Sequence, residues 1–543
     1  MPHPASVPAG PSPARTAATI ALIAIVAAGA GLRIYRIAAN PLWLDEAYSA
    51  YAAAGGFRFL WTVVPTYEVH PPFYYSLIRL WTLVFGDSVL ALRTLGMAGA
   101  IALLPVAILV VRRIAALSGF DPVARRWLAI ATTGFLAVSP ALVMLAREVR
   151  PYTLMTLVYA LGLLAILRAG AEARDGRLRI TTLAGFFVAQ ALMLWLHNLG
   201  PLFGLAMTLG LAAMLLGTPL RRADWGALIV GHLLVALLYL PALWIMVGQA
   251  GEWSHSTWLR WQPGLLGRRL AGLYVTVGWA AASAVALLAI LGLVLLARRG
   301  GRSARVAALL AILAALPPLL TFAISAAITP VFIPRIISPT IVPVMAAAAV
   351  PIALGRRWWR IAALVLALVP LVDMSNLAWR VASSHARQDW TRAVAWLAPR
   401  LRPGDVVLSY PNESALPFDR ATRDAGLAVD SRPVPEAVPA RMVPGGWYST
   451  GSRGVVLLRR PQLRAIARSP ALHDVRTIWL LRLGGASYDI GNVFLNELTA
   501  DDRRMVSYYH QGPIDLVGLQ KRAPAPSPRP AGAGLGERAA PVD

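Results

Sequence analysis

Apolar runs of about the length needed to cross a bilayer, roughly 20 residues, recur along the first two thirds of the chain. They fall near 17–32, 91–111, 127–145, 152–168, 180–196, 200–217, 225–247, 271–297, 306–326, 336–354 and 360–378. The pattern predicts about eleven transmembrane helices. One stretch breaks it. Residues 38–90 hold Asp45, Glu46, Gly55-Gly56, Arg58, Glu68 and His70-Pro71-Pro72. The apolar run inside this stretch, Phe73–Phe85, is short and contains Arg79. Runs of roughly 10–14 residues more often lie at the interface than cross it. An interfacial helix started by Pro71-Pro72 is therefore expected in the first external loop.

After residue 380 the pattern changes again. Asp389–Leu401 reads as an amphipathic helix, Pro403-Gly404-Asp405 as a turn and Val406–Ser409 as a short buried strand. Gly454–Leu458, Thr477–Leu481 and Asp515–Leu519 are further strand candidates, with a helical stretch at Pro461–Arg468. The expected architecture is an all-α polytopic membrane protein carrying a small C-terminal external α/β domain. The expected division is a disordered tail at 1–16, a transmembrane catalytic domain at 17–379, the external domain at 380–522 and a second disordered tail at 523–543.

Charge fixes an orientation. The chain of 543 residues is 57% hydrophobic and 14% charged, with a formal charge of +25. So basic a chain raises the thought of nucleic acid. The arginines, however, cluster in alternate loops: Arg112, Arg113, Arg125 and Arg126; Arg168, Arg174, Arg177 and Arg179; Arg221 and Arg222; Arg298, Arg299, Arg302 and Arg305; Arg356, Arg357 and Arg360. Positive loops stay inside. All of these clusters fall on one side if Phe73–Phe85 does not cross; a crossing there would split the pattern at residue 90. The N-terminus is then cytoplasmic, and the loops bearing Asp45 and Arg147–Tyr152, with His197 and Arg335, face outward. No cysteine is present, so disulfides and thiolate metal sites are excluded.

The outward loops carry the candidate chemistry. Asp45, Glu46, Glu68 and Glu148 supply carboxylates, one of which can take a proton from a hydroxyl nucleophile. Arg93, Arg147, Arg150 and Arg335 supply guanidinium groups, which bind phosphate through paired, charge-assisted hydrogen bonds. This combination suits group transfer from a lipid phosphate. The other reading is a multi-span transporter or flippase with intramembrane acids as proton relays. Transporter acids lie mid-span, and these spans are nearly free of them.

Several motifs occur in a recognisable order. Leu44-Asp45-Glu46-Ala47-Tyr48 is followed by His70-Pro71-Pro72-Phe73-Tyr74-Tyr75, then Phe85-Gly86-Asp87-Ser88 with Leu92-Arg93, then Ser139-Pro140, then Ala146-Arg147-Glu148-Val149-Arg150-Pro151-Tyr152. In this order they resemble the family-39-type glycosyltransferases of the GT-C fold, including the RgtA/B/C/D-like sugar transferases. The protein O-mannosyltransferases and the lipid A aminoarabinose transferase are more distant relatives. The resemblance covers roughly residues 17–380, and Gln388-Asp389-Trp390 resembles the start of the family's outer domain.

The resemblance implies an enzyme of the cytoplasmic membrane that takes sugar from a polyprenyl-phosphate donor. The acceptor would be an envelope glycan such as lipopolysaccharide, a lipid or a protein. Asp45 would be the base, with Glu46 orienting it or binding a sugar hydroxyl and Glu148 as the competing acid. Arg147 and Arg150 would neutralise the departing phosphate, with Arg93, Tyr152, His70 and Arg335 also contacting substrate. Ile336 stands where relatives often carry a tyrosine. Some relatives place a divalent ion near the donor phosphate. Glu68, His70 and His197 are the candidate ligands by residue type, although no ligand pair stands at helical spacing.

Overall fold

The computed structural model describes residues 13–522, except 69, 254–258, 260, 275–277, 440–457 and 501. Most of both expected tails, and the expected strand at 454–458 save its last residue, lie outside the described residues. Residues 13–16, assigned to the first tail by composition, open the first helix instead.

The N-terminal part is helical throughout. It comprises α1 (Pro13–Ile34), α2 (Leu44–Ala54), α3 (Gly56–Thr62), α4 (Pro72–Phe85), α5 (Val89–Leu117), α6 (Pro122–Ala137), α7 (Pro140–Leu145) and α8 (Tyr152–Glu172). It continues through α9 (Ile180–Leu196), α10 (Gly200–Leu215), α11 (Arg222–Trp253), α12 (Leu266–Tyr274), α13 (Trp279–Arg298), α14 (Gly301–Ala327), α15 (Ile341–Leu354) and α16 (Arg357–Ser383). Among the described residues, eight helical segments are long and apolar enough to cross a membrane. The remaining three expected spans are the shorter helices α6, α9 and α10. The chain is a multi-span membrane protein.

Local chemistry sets the breaks. Pro71-Pro72 starts α4, and Gly86, at φ +78°, ends it. Ser88 caps α5 by accepting from the amide of Ala91. Three expected spans are interrupted. The run 127–145 ends as a helix at Ala137, because Ser139 caps a new helix that opens on Pro140. The run 271–297 is divided into α12 and α13, with Gly278 preceding the latter. Residues 334–340 form a 3₁₀ segment carrying Pro334 and Pro339 before α15 begins.

α2, α3 and α4 pack on one another, and α4 packs on α5. α4 buries Tyr74, Tyr75 and Ile78 and leaves Leu80, Leu83, Val84 and Phe85 exposed. This one-sided burial is what a helix lying at an interface requires.

The C-terminal part is α/β. α17 (Trp390–Leu397) and α18 (Ala415–Asp424) pack on a five-stranded sheet of β1 (Val406–Tyr410), β2 (Asp430–Pro433), β3 (Thr477–Leu483), β4 (Arg503–Gln511) and β5 (Ile514–Lys521), in the order β2-β1-β3-β5-β4. β1 runs parallel to β2 and β3, while β5 is antiparallel to β3 and β4. Every residue of β1 and β3 is buried. Alternate side chains explain this. Val406, Leu408, Ile478 and Leu480 face one apolar layer, and Val407, Trp479 and Leu481 face another containing Trp390, Val394 and Phe418. The strands expected at 406–409, 477–481 and 515–519 are therefore present. β2 and β4 were not expected, because both are polar edge strands without an apolar run.

The two parts meet over α2 and the following loops. The amide of Leu44 donates to Gln388 Oε1 (2.9 Å), Tyr48 Oη donates to Glu413 Oε2 (3.0 Å), and Arg420 Nη1 bonds Asp87 Oδ2 (3.0 Å).

Candidate active site

The site is assembled where the first turn of α2, the 146–151 connection and the 334–340 segment converge. Asp45 lies in that first turn with its side chain about a fifth exposed. Its Oδ2 is 3.0 Å from Arg335 Nη2 and 3.9 Å from Arg150 Nη2. Arg150 is buried. The Arg335 guanidinium stands over the rings of Trp43 and Tyr152, at 5.5 Å from each centroid. Such stacking favours arginine over lysine. The Nε atoms of Arg150 and Arg335 are both enclosed without a hydrogen-bond partner. Enclosed guanidinium donors without partners are costly and suit an incoming anion.

Glu46, next in sequence, has a different role. Its carboxylate is fully buried and accepts from Arg93 Nε (2.8 Å), Arg93 Nη2 (2.6 Å), the Val149 amide (3.1 Å) and the Trp43 amide (3.2 Å). This fills the roughly four acceptor sites of a carboxylate. The rest of the Arg93 fork goes to the carbonyls of Ile37, Asn40 and Pro41. The pair thus fastens α5, the end of the α1–α2 connection, α2 and the 146–151 connection together. The resemblance implied that Glu46 orients Asp45 or binds a sugar hydroxyl and that Arg93 contacts substrate. With their hydrogen-bonding capacity taken up inside the protein, neither has a group left for substrate; the contacts leave Glu46 only a positioning part.

Arg147 also departs from expectation. Its guanidinium caps the carbonyls of Tyr35 and Arg36 at the end of α1, rather than joining Arg150 beside Asp45. Glu148 is half-buried, with Oε2 enclosed and unpartnered. Burial pushes its carboxyl up. Glu46 and Asp45 push the same way, Arg335 and Arg150 push back, and the result is about 7.

Glu68, His70 and His197 come together at the side of this cluster. Glu68 Oε1 bonds His70 Nδ1, and His70 Nε2 lies 3.2 Å from His197 Nε2. The Leu199 amide donates to His197 Nδ1 at 3.0 Å. These contacts fix the tautomers. His197 Nδ1 accepts, so its proton is on Nε2 and is donated to His70 Nε2. His70 then carries its proton on Nδ1, facing Glu68. Burial would raise the Glu68 carboxyl, but His70 and Arg150 hold it at about 2. Burial pushes His197 well below the usual imidazole range, and His70, Arg150 and Arg335 push the same way. The three residues form an ionised carboxylate followed by two neutral imidazoles.

This arrangement does not fit the divalent-metal site expected of them. Glu68 bonds the nitrogen of His70 turned away from His197, so the three side chains do not converge on one point. Among the described residues, no group of three or more His, Asp or Glu is placed to hold a metal.

Two contributors escaped sequence reasoning. Trp43 provides a face for Arg335, and Glu413 reaches Tyr48 across the junction. Glu413 follows a buried strand in a polar turn. Nothing local distinguishes it, and its partner is 365 positions away.

No protein-family model and no curated protein matches the sequence. Solved structures do match in fold. ArnT from Cupriavidus metallidurans in the apo state has a TM-score of 0.56 at 14% identity, over 92% of this chain and 98% of that one. ArnT bound to undecaprenyl phosphate has a TM-score of 0.52 at 13% identity, over 93% and 97%. The oligosaccharyltransferase AglB from Archaeoglobus fulgidus, in complex with an inhibitory peptide and a dolichol-phosphate, has a TM-score of 0.51 at 12% identity, over 92% and 74%. The architecture shared with these proteins, a helical membrane part with a C-terminal sheet, is the GT-C fold, and this chain has it.

Proposed function

We propose that the protein is an integral membrane glycosyltransferase that moves a sugar from a polyprenyl-phosphate donor to an envelope glycan, lipid or protein acceptor. The observation that carries this reading is the carboxylate of Asp45 facing the guanidinium groups of Arg335 and Arg150. The fold supports it, since ArnT binds undecaprenyl phosphate and AglB binds a dolichol-phosphate.

In this reading the donor phosphate enters between Arg150 and Arg335 and takes over hydrogen bonds now directed at Asp45. Asp45 is thereby released to accept the proton of the acceptor hydroxyl or amine. The acceptor heteroatom forms a bond to the anomeric carbon. The bond from that carbon to the phosphate oxygen breaks, with inversion. The charge left on the lipid phosphate is neutralised by the two guanidinium groups. Glu46 and Arg93 position the first turn of α2. No step uses a metal.

The proposal places the membrane part, 17–379, as the catalytic unit in the cytoplasmic membrane with a cytoplasmic N-terminus and 380–522 as an external domain. The arginine alternation supports that orientation. The test is direct. Purified protein in detergent is expected to transfer sugar from a polyprenyl-phosphate donor with no gradient present. Movement of solute across sealed liposomes, with no transfer from a broad donor panel, would sink the reading. Reporter fusions at residues 174, 300 and 358 should read cytoplasmic, and those at 60 and 430 external.

A further inference from the structure

A cavity lies on the side of α2 away from Asp45. It has a volume of about 760 Å³ and is bounded by α2, α4 and α18. Its floor is apolar, formed by Leu42, Ala47, Tyr51 and Leu92, and Arg79, Arg420 and Arg423 stand around it with Asp87 and Asp419. The α2 residues that line it, Ala47, Ala50, Tyr51, Ala53 and Ala54, lie roughly 80–240° around the helix from Asp45 at 100° per residue. The helix therefore separates the cavity from the reacting groups.

The arginines are not equivalent. Arg420 is committed to Asp87 and Asp424. Arg79 is only partly exposed, yet among the described residues its guanidinium has no hydrogen-bond or ion-pair partner. It projects from an apolar stretch of α4, where an unpaired charge is costly. Beside it, Leu80, Leu83, Val84 and Phe85 are exposed and lead outward along the same helix. An apolar floor, a free guanidinium at its edge and an apolar exit along an interfacial helix together match one kind of ligand.

We propose that this cavity binds an anionic phospholipid of the surrounding bilayer, with its phosphate on Arg79 and an acyl chain on the α2–α4 floor. Arg423, exposed at the rim, is the second cation within reach of the headgroup. The bound lipid fills the junction between α4 and α18, so it braces the C-terminal part against the membrane part. This inference does not depend on the transferase reading.

The test uses the full-length protein in detergent, titrated with short-chain phosphatidylglycerol or phosphatidylcholine and read by native mass spectrometry. Saturable binding of phosphatidylglycerol in preference to phosphatidylcholine is expected. Arg79→Gln should weaken it about tenfold, the scale of one lost charge-assisted contact, and Arg79→Lys should retain most of it. Ala54→Trp, at an exposed position of the lining, should weaken binding without removing any charge. Equal binding of the two lipids, or binding indifferent to both Arg79→Gln and Ala54→Trp, would overturn the proposal. So would stoichiometric displacement of the phospholipid by undecaprenyl phosphate, because the cavity would then belong to the donor.

Discussion

The carboxylate of Asp45 and the guanidinium of Arg335, 290 positions apart, meet at 3.0 Å. Neither residue is remarkable alone, since acids often open helices and arginines often flank spans. Their meeting, with Arg150 alongside, places a carboxylate against two guanidinium groups.

Asp45→Asn should lower turnover by about 10²–10⁴ while leaving donor affinity largely intact. The amide keeps the shape but does not take up the proton. Glu148→Gln is the necessary comparison, measured for turnover and donor affinity together. Near-normal turnover in Asp45→Asn, with a dead Glu148→Gln that still binds donor, would transfer the role of base to Glu148.

Arg150→Ala and Arg335→Ala should each lower donor affinity and rate, with lysine restoring only part because an ammonium does not fork. Arg147→Ala should behave differently. Its guanidinium holds the end of α1, so a loss of thermal stability of about 1 kcal/mol with unchanged donor affinity is expected. A donor affinity that drops for Arg147→Ala as far as for Arg150→Ala would contradict this placement.

Arg93→Ala should be the most destabilising of these substitutions. It leaves Glu46 as a buried carboxylate without its counter-ion, and breaking such a pair typically costs about 3–5 kcal/mol. The measurement is the unfolding temperature in detergent. A shift no larger than that of an exposed arginine substitution would mean that the pair does not fasten the site.

Donor binding should weaken as pH rises through about 7. The Glu148 carboxyl is raised to that value, so it is neutral below and negative above, adding a charge beside the lipid phosphate. The folded state binds this proton more tightly than the unfolded chain does. Stability should therefore also decline between the ordinary carboxyl range and pH 7. Glu148→Gln should flatten the donor-affinity profile. A wild-type turnover that instead climbs through pH 7, with the climb absent from Glu148→Gln, would mark Glu148 as the base.

The sequence by itself determined the membrane class, the position of most helical segments, the short separate helix at 73–85 and three strands of the C-terminal sheet. Those features follow from apolar run length and period, which act locally and are written into neighbouring residues. The motif order also pointed to the fold. Only the tertiary structure decided which charged residues share a site. Glu46 read as orienting the base or binding a sugar hydroxyl, and Arg93 as contacting substrate, until the fold occupies their donors and acceptors with each other and with two loop segments. Arg147 and Arg150 stand three apart, yet the turn before α8 sends one to the end of α1 and the other to Asp45. Glu68, His70 and His197 read as ligands by type, but the contacts of their separate ring nitrogens make them a hydrogen-bonded chain. The physical reason is common to all three cases. A polar side chain buried in a protein takes its role from the partners that satisfy it, and those partners lie tens to hundreds of positions away.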